Sequence, residues 1–258
     1  MVSPVLTIAV RILWANYARQ MTNWNNANLS APFWRIYWNA QGGNFARIAS
    51  REIELLPSRI LAIPPDTPFS TSALNPVDHF HVHFVSSQPF GFVKPEIFVF
   101  DPPPSVLALK NRCIEGCDGR FSAAEHAAAL YQMIFWVLTN LPAGSVAESV
   151  SDDLRIQQVI ALMEKPDASV FDNASLARHI SMNTNSFIRL FKAQTKMTPG
   201  QYILTRRINR ACEMLHFTNK SIEQIAEECG FCDRYYFSRM FKKLRRIGPA
   251  KFRGIWTV

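Results

Sequence analysis

The sequence predicts an α+β protein with more than one domain: an N-terminal β-barrel or jelly roll that ends in a helical pair, and then an all-α domain. Three observations lead to this fold class. The chain has 258 residues, which is enough for two hydrophobic cores. Residues 1–110 contain short aromatic and β-branched runs separated by Pro and Gly turns. From residue 152 onward, apolar residues recur instead at helical spacing.

Short runs in the first part of the chain predict individual strands. They cover residues 33–38, 59–63, 79–84 and 96–100. Turn signals follow the first two runs, at Gly42-Gly43 and Pro64-Pro65. Because no helical period separates these runs, a barrel or jelly roll is favoured over a parallel sheet.

One helix of the N-terminal part can be bounded, over residues 122–141. Ser122 and Glu125 form a capping-box pattern at its start. The apolar residues at helical spacing are Leu130, Ile134, Leu138 and Leu141. The apolar face either covers the barrel or pairs with a second subunit.

A Pro- and Gly-containing stretch suggests where the domains meet. Residues 142–151 have the composition of a linker. We therefore expect an N-terminal domain over residues 1–141 and a C-terminal domain over residues 152–258.

The positive charge of the chain lies in its C-terminal part. The net charge is +8. Residues 1–150 hold equal numbers of Lys/Arg and Asp/Glu, whereas residues 151–258 hold eighteen Lys/Arg against ten Asp/Glu. A basic domain joined to a neutral one suggests a polyanion-binding module with a separate second function, although charge alone is equally compatible with a solvated basic face.

Residues 173–192 predict a helix-turn-helix unit. Its first helix turns Leu176 and Ile180 inward, and its second begins near Asn183 or Thr184. The second helix buries Phe187, Leu190 and Phe191 and leaves Asn185, Ser186 and Arg189 outside.

The same plan recurs over residues 221–243. Ser221 suits the N-cap of the first helix, and Asp233 can cap the second after a turn at Gly230. The outer face of this second helix holds Arg234, Tyr235, Ser238 and Arg239. Between the units, a helix that starts at Thr198-Pro199 spans about 18 residues, or roughly 27 Å. A spacer of that length suits two recognition helices about 34 Å apart along DNA.

These motifs resemble the DNA-binding domain of the AraC/XylS family of transcription regulators. The resemblance covers residues 152–254 and is strongest over Ile225–Lys243 and Gly248–Arg253. It implies binding to double-stranded DNA and action on RNA polymerase, most simply as an effector-controlled activator in the cytoplasm. Two departures stand where the family usually has Gly after a recognition helix: Lys196 and Arg246. A third, Arg234 in place of the usual Ser, should alter the base preference.

The chemistry of the outer residues predicts their roles on DNA. Arg suits guanine and Asn suits adenine, whereas basic residues near helix ends suit phosphates. The predicted base-reading residues are Asn185, Ser186, Arg189, Arg234, Tyr235, Ser238 and Arg239. The predicted phosphate-binding residues are Lys192, Lys196, Lys242, Lys243, Arg245 and Arg246.

The N-terminal part resembles the cupin-like effector domains of the same family, through segments that include Arg35–Trp38 and His79–Phe84. The resemblance implies a small effector, which we take to be a sugar, and a dimer formed through helix 122–141. The effector-binding residues that follow are Tyr37, Trp38, Asn39, His79 and His81. The family's frequent His after the Pro-Pro turn is Phe69 here.

Three histidines alternate in this domain: His79, His81 and His83. Strand geometry puts all three on one face, where they contact an effector, play a structural part, or bind a metal as in metal-dependent cupins. Because no acidic residue follows closely on the strand, we predict no metal and no cofactor. We see no nucleophile elbow and no phosphate-binding loop, so no catalytic residue is predicted. The other hypotheses are a DNA-binding protein that needs no ligand and a metal-dependent cupin enzyme with a DNA-binding appendage.

Five cysteines, an odd number, fit a reducing compartment. The start of the chain lacks the basic region of a secretory signal, and no apolar run reaches the ~20 residues that span a bilayer. The spacing of Cys229 and Cys232 permits zinc, but no second close pair with matching spacing completes a site. We therefore expect a cytoplasmic protein with cysteines as small apolar residues.

Overall fold

A computed structural model describes residues 8–22, 24–87, 89–91, 93–146, 151, 153–163 and 172–256. The chain divides into two compact units, at residues 1–147 and 148–257. Each unit has its own core. Among the described helices, none combines the length and the apolar character that crossing a membrane requires.

The N-terminal unit is built on two antiparallel sheets. Its described strands are β1 (Val10–Met21), β2 (Asn26–Leu29), β3 (Trp34–Asn39), β4 (Asn44–Ile48), β5 (Arg51–Glu54), β6 (Ile60–Ile63), β7 (Phe69–Ala73), β8 (Val77–Ser86) and β9 (Phe98–Phe100). The order is β1-β8-β3-β6-β9 in one sheet and β2-β7-β4-β5 in the other. This arrangement confirms the predicted fold class, and the four predicted strands correspond to β3, β6, β8 and β9.

Alternation along β3 and β8 gives the five-stranded sheet two different buried faces. Trp34 stands opposite Phe84, Ile36 opposite Val82, and Trp38 opposite Phe80. These side chains form one core with the helices α1 (Pro104–Cys117) and α2 (Ala123–Thr139). The alternate residues of β3 and β8 face the four-stranded sheet, since the Tyr37 ring contacts Phe69 of β7 with centroids 6.3 Å apart.

Helix α2 begins as the sequence predicts, because Ser122 and Glu125 form the capping box. Helix α1 is its partner in the helical pair, and it begins at Pro104, within the stretch 1–110 that is otherwise β-rich as predicted. Pro104 occupies the first turn of α1, where a missing N–H costs nothing.

Part of the predicted linker packs on the N-terminal unit. Val146 forms an isolated β-bridge with Val93, and the N–H of Lys94 donates to the carbonyl of Ser145 at 3.0 Å. Residues 147–150 and 152 of the predicted boundary region lie outside the described residues.

The C-terminal unit is helical throughout its described part. Its helices are α3 (Leu154–Met163), α4 (Asn173–His179), α5 (Thr184–Thr195), α6 (Pro199–Phe217), α7 (Ile222–Glu228), α8 (Arg234–Arg245) and α9 (Pro249–Trp256). Thus α4 with α5, and α7 with α8, are the two predicted helix-turn-helix units, and α6 is the spacer. Helix α9 was not predicted from the sequence, and it packs on α8 through Phe252 and Phe241, whose ring centroids are 5.4 Å apart.

The first core of the C-terminal unit contains α3, α4, α5 and the start of α6. Phe187 and Phe191 are fully buried in it, and Phe191 meets Tyr202 of α6 with centroids 5.7 Å apart. Leu190, expected to be buried, packs at the edge of this core and is only partly buried. The second helix-turn-helix unit repeats this arrangement, with Phe237 and Phe241 fully buried.

Candidate DNA interface and effector site

Helix α5 is fixed at its N-terminus by a side-chain cap. Asn183 accepts a hydrogen bond from the backbone N–H of Ser186 at 2.9 Å. This bond satisfies one of the unpaired N–H groups of the first turn. With Phe187 and Phe191 buried, Asn185 and Arg189 are left exposed on the opposite face. The structure therefore exposes the face that the sequence predicts to read bases.

Helix α8 has the stronger cap. Asp233 accepts two backbone hydrogen bonds, from Tyr235 at 2.8 Å and from Tyr236 at 2.7 Å. The bond from Tyr236 is the main cause of the lowered pKa of Asp233, so the cap stays charged at neutral pH. Arg234 and Arg239 are exposed, and Ser238 is partly buried.

The arginines of both outer faces are not held by carboxylates. Among the described residues, no ion pair involves Arg189, Arg234 or Arg239. By contrast, Arg155 of the same unit binds Asp153 at 2.6 Å. Exposed guanidinium groups that pair with no carboxylate are suited to recognise nucleic acid.

Most of the predicted phosphate-binding residues are exposed at the ends of the recognition helices. These are Lys192, Lys196, Lys242, Lys243 and Arg246. Arg245 differs, because its guanidinium donates a hydrogen bond to the amide oxygen of Asn209 on α6. We therefore place Arg245 in the packing between α8 and α6.

The two residues that replace glycine adopt the glycine conformation. Lys196 has φ 62° and ψ 5°, and Arg246 has φ 66° and ψ −9°. Each ends its helix with a backbone hydrogen bond of 2.9 Å, to Lys192 and to Lys242 respectively. Both turns therefore keep the left-handed conformation, which is strained for a residue with a Cβ.

In the N-terminal unit, the structure brings together four of the five predicted effector residues. Tyr37, Asn39, His79 and His81 share the face of the five-stranded sheet that packs on the other sheet. His79 Nδ1 lies 2.7 Å from Asn39 Oδ1, and the Tyr37 and His79 rings meet at 4.8 Å. Trp24 closes this cluster with its ring 4.4 Å from that of His79.

Trp38 does not belong to this cluster. Because neighbours on a strand point to opposite faces, its ring lies in the core beneath the helices. Its indole N–H donates to the carbonyl of Pro57 at 2.8 Å, and the ammonium of Lys110 lies 3.4 Å from the ring centroid. This placement corrects the effector set, from which Trp38 is removed.

Two fully buried polar residues of the N-terminal unit were not identified from the sequence. Asn44 and Thr67 are fully buried. Asn44 lies in β4 two residues before Ala46, which is also fully buried, and that alternation after the Gly42-Gly43 turn was a usable signal. Thr67 follows Pro64-Pro65-Asp66, a stretch that gives no sign of burial.

The three alternating histidines stack along one strand face, as predicted. Ring centroids are 5.1 Å apart for His79 and His81 and 5.0 Å apart for His81 and His83. Burial lowers the pKa of His81 to about 4 and that of His79 well below its ordinary value, so both rings are neutral at pH 7. Within the described residues, no group of three His, Cys, Asp or Glu is placed to hold a metal ion.

The cysteines are separate free thiols. Cys229 is buried against Met214 at 3.7 Å, whereas Cys232 is exposed. Burial raises the pKa of Cys229 to about 11, so its thiolate form is disfavoured.

A groove of about 290 Å³ lies away from the histidine cluster. It is bounded by the edge strands β5 and β9, and its lining residues are Arg51, Glu52, Ile53, Glu54, Arg59, Val99 and Asp101. None of the predicted effector residues contributes to it.

Comparisons with known proteins agree with this geometry. A family model described as a helix-turn-helix domain matches residues 176–254. The chain is 31% identical over 107 residues to the HTH-type transcriptional activator RhaR of Mannheimia succiniciproducens, covering 42% of this chain and 39% of that protein. It is 31% identical over 130 residues to the HTH-type transcriptional activator RhaS of Klebsiella pneumoniae, covering 50% and 47%. The chain thus spans less than half the length of each of these relatives.

The overall fold also has a solved counterpart. Unsaturated fatty acid-bound ToxT from Vibrio cholerae strain SCE256 superposes with a TM-score of 0.53 at 12% identity, over 100% of this chain and 98% of that chain. This likeness concerns the fold, which combines an N-terminal β unit with a C-terminal helical unit.

Two capped recognition helices joined by a spacer helix, together with the family match, define the C-terminal unit as a helix-turn-helix DNA-binding domain. In this domain, the chain is similar to transcription regulators of the AraC/XylS family.

Proposed function

We propose that this protein is a sequence-specific transcription activator of the cytoplasm, controlled by a small effector bound in its N-terminal unit. The observation that carries the proposal is the pair of recognition helices whose outer arginines are exposed and outside the ion pairs of the described residues. The named relatives are activators, so RNA polymerase is the expected partner on the promoter.

The base-reading and phosphate-binding roles follow from position on these helices. Asn185, Arg189, Arg234 and Arg239 project from the exposed faces that the buried Phe residues leave outside. Tyr235 is 76% exposed beside Arg234. Ser186 and Ser238 lie at the edges of these faces. The exposed Lys192, Lys196, Lys242, Lys243 and Arg246 are assigned to phosphates.

Fluorescence anisotropy with a promoter fragment tests DNA binding. The full chain should bind, and its affinity should fall steeply as salt rises, because phosphate contacts release counterions. Arg239→Ala should cost about 1–3 kcal/mol at one operator position and little at the others. Arg155→Ala is the matched control, because it removes the same charge from the same unit away from α5 and α8. Equal losses from the two variants would contradict the assignment of Arg239.

The effector site is proposed between the two sheets, around Asn39 and His79. In the described part of the N-terminal unit, several buried polar atoms make no hydrogen bond. They are Asn39 Nδ2, both amide atoms of Asn44, Thr67 Oγ1 and His81 Nδ1. Leaving such a group without a partner costs about 1–3 kcal/mol, so a ligand with several hydroxyl groups would be favoured. Neutral amides and imidazoles suit a sugar better than a hydrocarbon chain.

A thermal-shift panel of neutral sugars and unsaturated fatty acids tests this class. We expect one or more sugars to raise the Tm, and Asn44→Val to abolish the rise. Asn140→Val, at the exposed end of α2, is the matched control. A response to fatty acids alone would replace the sugar proposal with the ligand class named for ToxT, and no response to either would favour the regulator that needs no ligand.

Dimerisation is proposed through the outer face of α2. Phe135 is 40% exposed in the middle of this helix, on the side away from the core. Sedimentation equilibrium should show a dimer that Phe135→Glu weakens. Leu74→Glu is the control, because Leu74 is 75% exposed in the same unit but lies on a turn. A monomeric wild-type chain would contradict the proposal.

A further inference from the structure

The two recognition helices carry an arginine at the same position, but a different residue neighbours the arginine on each helix. Arg189 follows the cap Asn183 at the same spacing as Arg239 follows the cap Asp233. One helical turn before each arginine, α5 has Ser186 and α8 has Tyr236. Residues at this spacing face each other on a helix.

Each of these neighbours contacts its arginine. The Arg189 guanidinium donates to Ser186 Oγ over 3.5 Å, which is a long hydrogen bond. The Arg239 guanidinium instead lies over the Tyr236 ring, 5.5 Å from its centroid, which is cation–π geometry. Its charge also contributes to the low pKa of Asp233, after the larger effect of the hydrogen bond from Tyr236. The guanidinium is therefore directed toward the N-terminal end of α8, which is the end of a recognition helix that meets base edges.

Tyr236 is itself fixed by the turn that precedes α8. Its backbone N–H donates to Asp233, and its ring contacts Phe231 with centroids 6.1 Å apart. Phe231 in turn packs on the buried Phe237 at 5.1 Å. Tyr236 is only 36% exposed, about half the exposure of its neighbour Tyr235. The ring thus offers one anchored face to the arginine.

We propose that Tyr236 is a positioning residue for DNA recognition: its ring holds Arg239 in the direction in which it reads a base. This inference rests on the proposed DNA-binding function. An arginine side chain loses conformational entropy about several rotatable bonds when it binds. A contact that fixes the side chain before binding reduces this entropic cost. An exposed cation–π contact corresponds to about a two- to fivefold effect on an equilibrium.

The first test uses the full chain without DNA. Aromatic ring currents shift the NMR signals of a guanidinium that lies over a ring. Tyr236→Phe should preserve the shifted Arg239 side-chain resonance, because the ring is retained, and Tyr236→Leu should return it to the ordinary value. An unshifted Arg239 signal in the wild-type chain would overturn the proposal, since the ring would then not hold the arginine.

The second test measures discrimination at single operator positions by competition binding. Tyr236→Leu should reduce discrimination about two- to fivefold at the position that Arg239→Ala also affects, with an unchanged salt slope. Tyr236→Phe should keep the wild-type discrimination, whereas a purely structural role would weaken binding to all sequences alike. If the wild-type chain discriminates but Tyr236→Leu does so equally well, this inference fails alone. If the wild-type chain discriminates between no sequences, the proposed function fails and the inference with it.

Discussion

Replacing Arg246 with glycine is expected to stabilise the protein and to lower its affinity for DNA. Arg246 ends α8 in the left-handed region, at φ 66°. The substitution changes two things together: it removes the Cβ that is strained there, and it removes an exposed charge assigned to a phosphate. These changes act on different measurements, so they can be separated.

The magnitude follows from the backbone geometry. The left-handed conformation costs a residue with a Cβ about 1–2 kcal/mol, and the greater freedom of unfolded glycine offsets about 0.5–1 kcal/mol of that relief. The net gain therefore lies between about 0 and 1.5 kcal/mol, with a central value of about 0.75 kcal/mol. For a unit of this size it corresponds to a Tm increase of about 2–8 °C. The capping bond to Lys242 uses only the backbone and should persist.

Thermal unfolding and salt-dependent DNA binding should be measured on the same preparations. Arg246→Ala is the matched control, because it removes the charge but keeps the Cβ. Both variants should lower the slope of log affinity against log salt by about 1. Only Arg246→Gly should gain stability, and Lys196→Gly should show a similar gain. Equal Tm values for Arg246→Gly and Arg246→Ala would refute the argument from backbone strain.

Three further outcomes are expected in the N-terminal unit. Gly116→Ala should lower the free energy of unfolding by about 1–3 kcal/mol, because the new Cβ would lie 2.2 Å from the His126 ring; an unchanged denaturant midpoint would contradict this. Burial keeps the pKa values of His79 and His81 below those of histidine in the unfolded chain, so the Tm should fall as the pH drops from 6.5 toward about 4. The fall should be smaller in His81→Gln, and a Tm that does not change with pH over this range would contradict the prediction. Burial lowers the pKa of Lys110 to about 8, so Lys110→Met should leave the free energy of unfolding in denaturant at pH 7 equal or higher. A clear loss would show that the contact of the ammonium with the Trp38 ring stabilises the fold by more than the burial of the charge costs.

The helical unit was the most predictable part of the chain. Its cores depend on local spacing, as in Phe187 with Phe191 and Phe237 with Phe241, and local spacing is visible in a sequence. The helical pair was predicted, but the bounds of its first helix, α1, were not, because Pro102, Pro103 and Pro104 suggest a loop, although a proline suits the first turn of a helix. The burial of Lys110 was also invisible, since it depends on Trp38, which is distant in sequence.

The effector site was only partly predictable for a related reason. Alternation along one strand correctly put His79 and His81 on one face, and the same rule excludes Trp38 when it is applied to Tyr37–Asn39. Asn44 lies in a strand of the other sheet, and Thr67 lies in a loop. Their contribution depends on how the two sheets pack, which no local pattern records.

Under the proposed DNA-binding function, helix α6 places a constraint on how the operator of this protein can change. An α-helix turns by about 100° and advances 1.5 Å for each residue, so one residue inserted into Pro199–Phe217 would swing the second reading surface to another side of the axis. Seven inserted residues, about two turns, would nearly restore the phase while adding about 10.5 Å, or roughly three base pairs. Evolution can therefore tune single bases through substitutions on α5 and α8, but it can lengthen the gap between the two recognised sequences only in steps of this size.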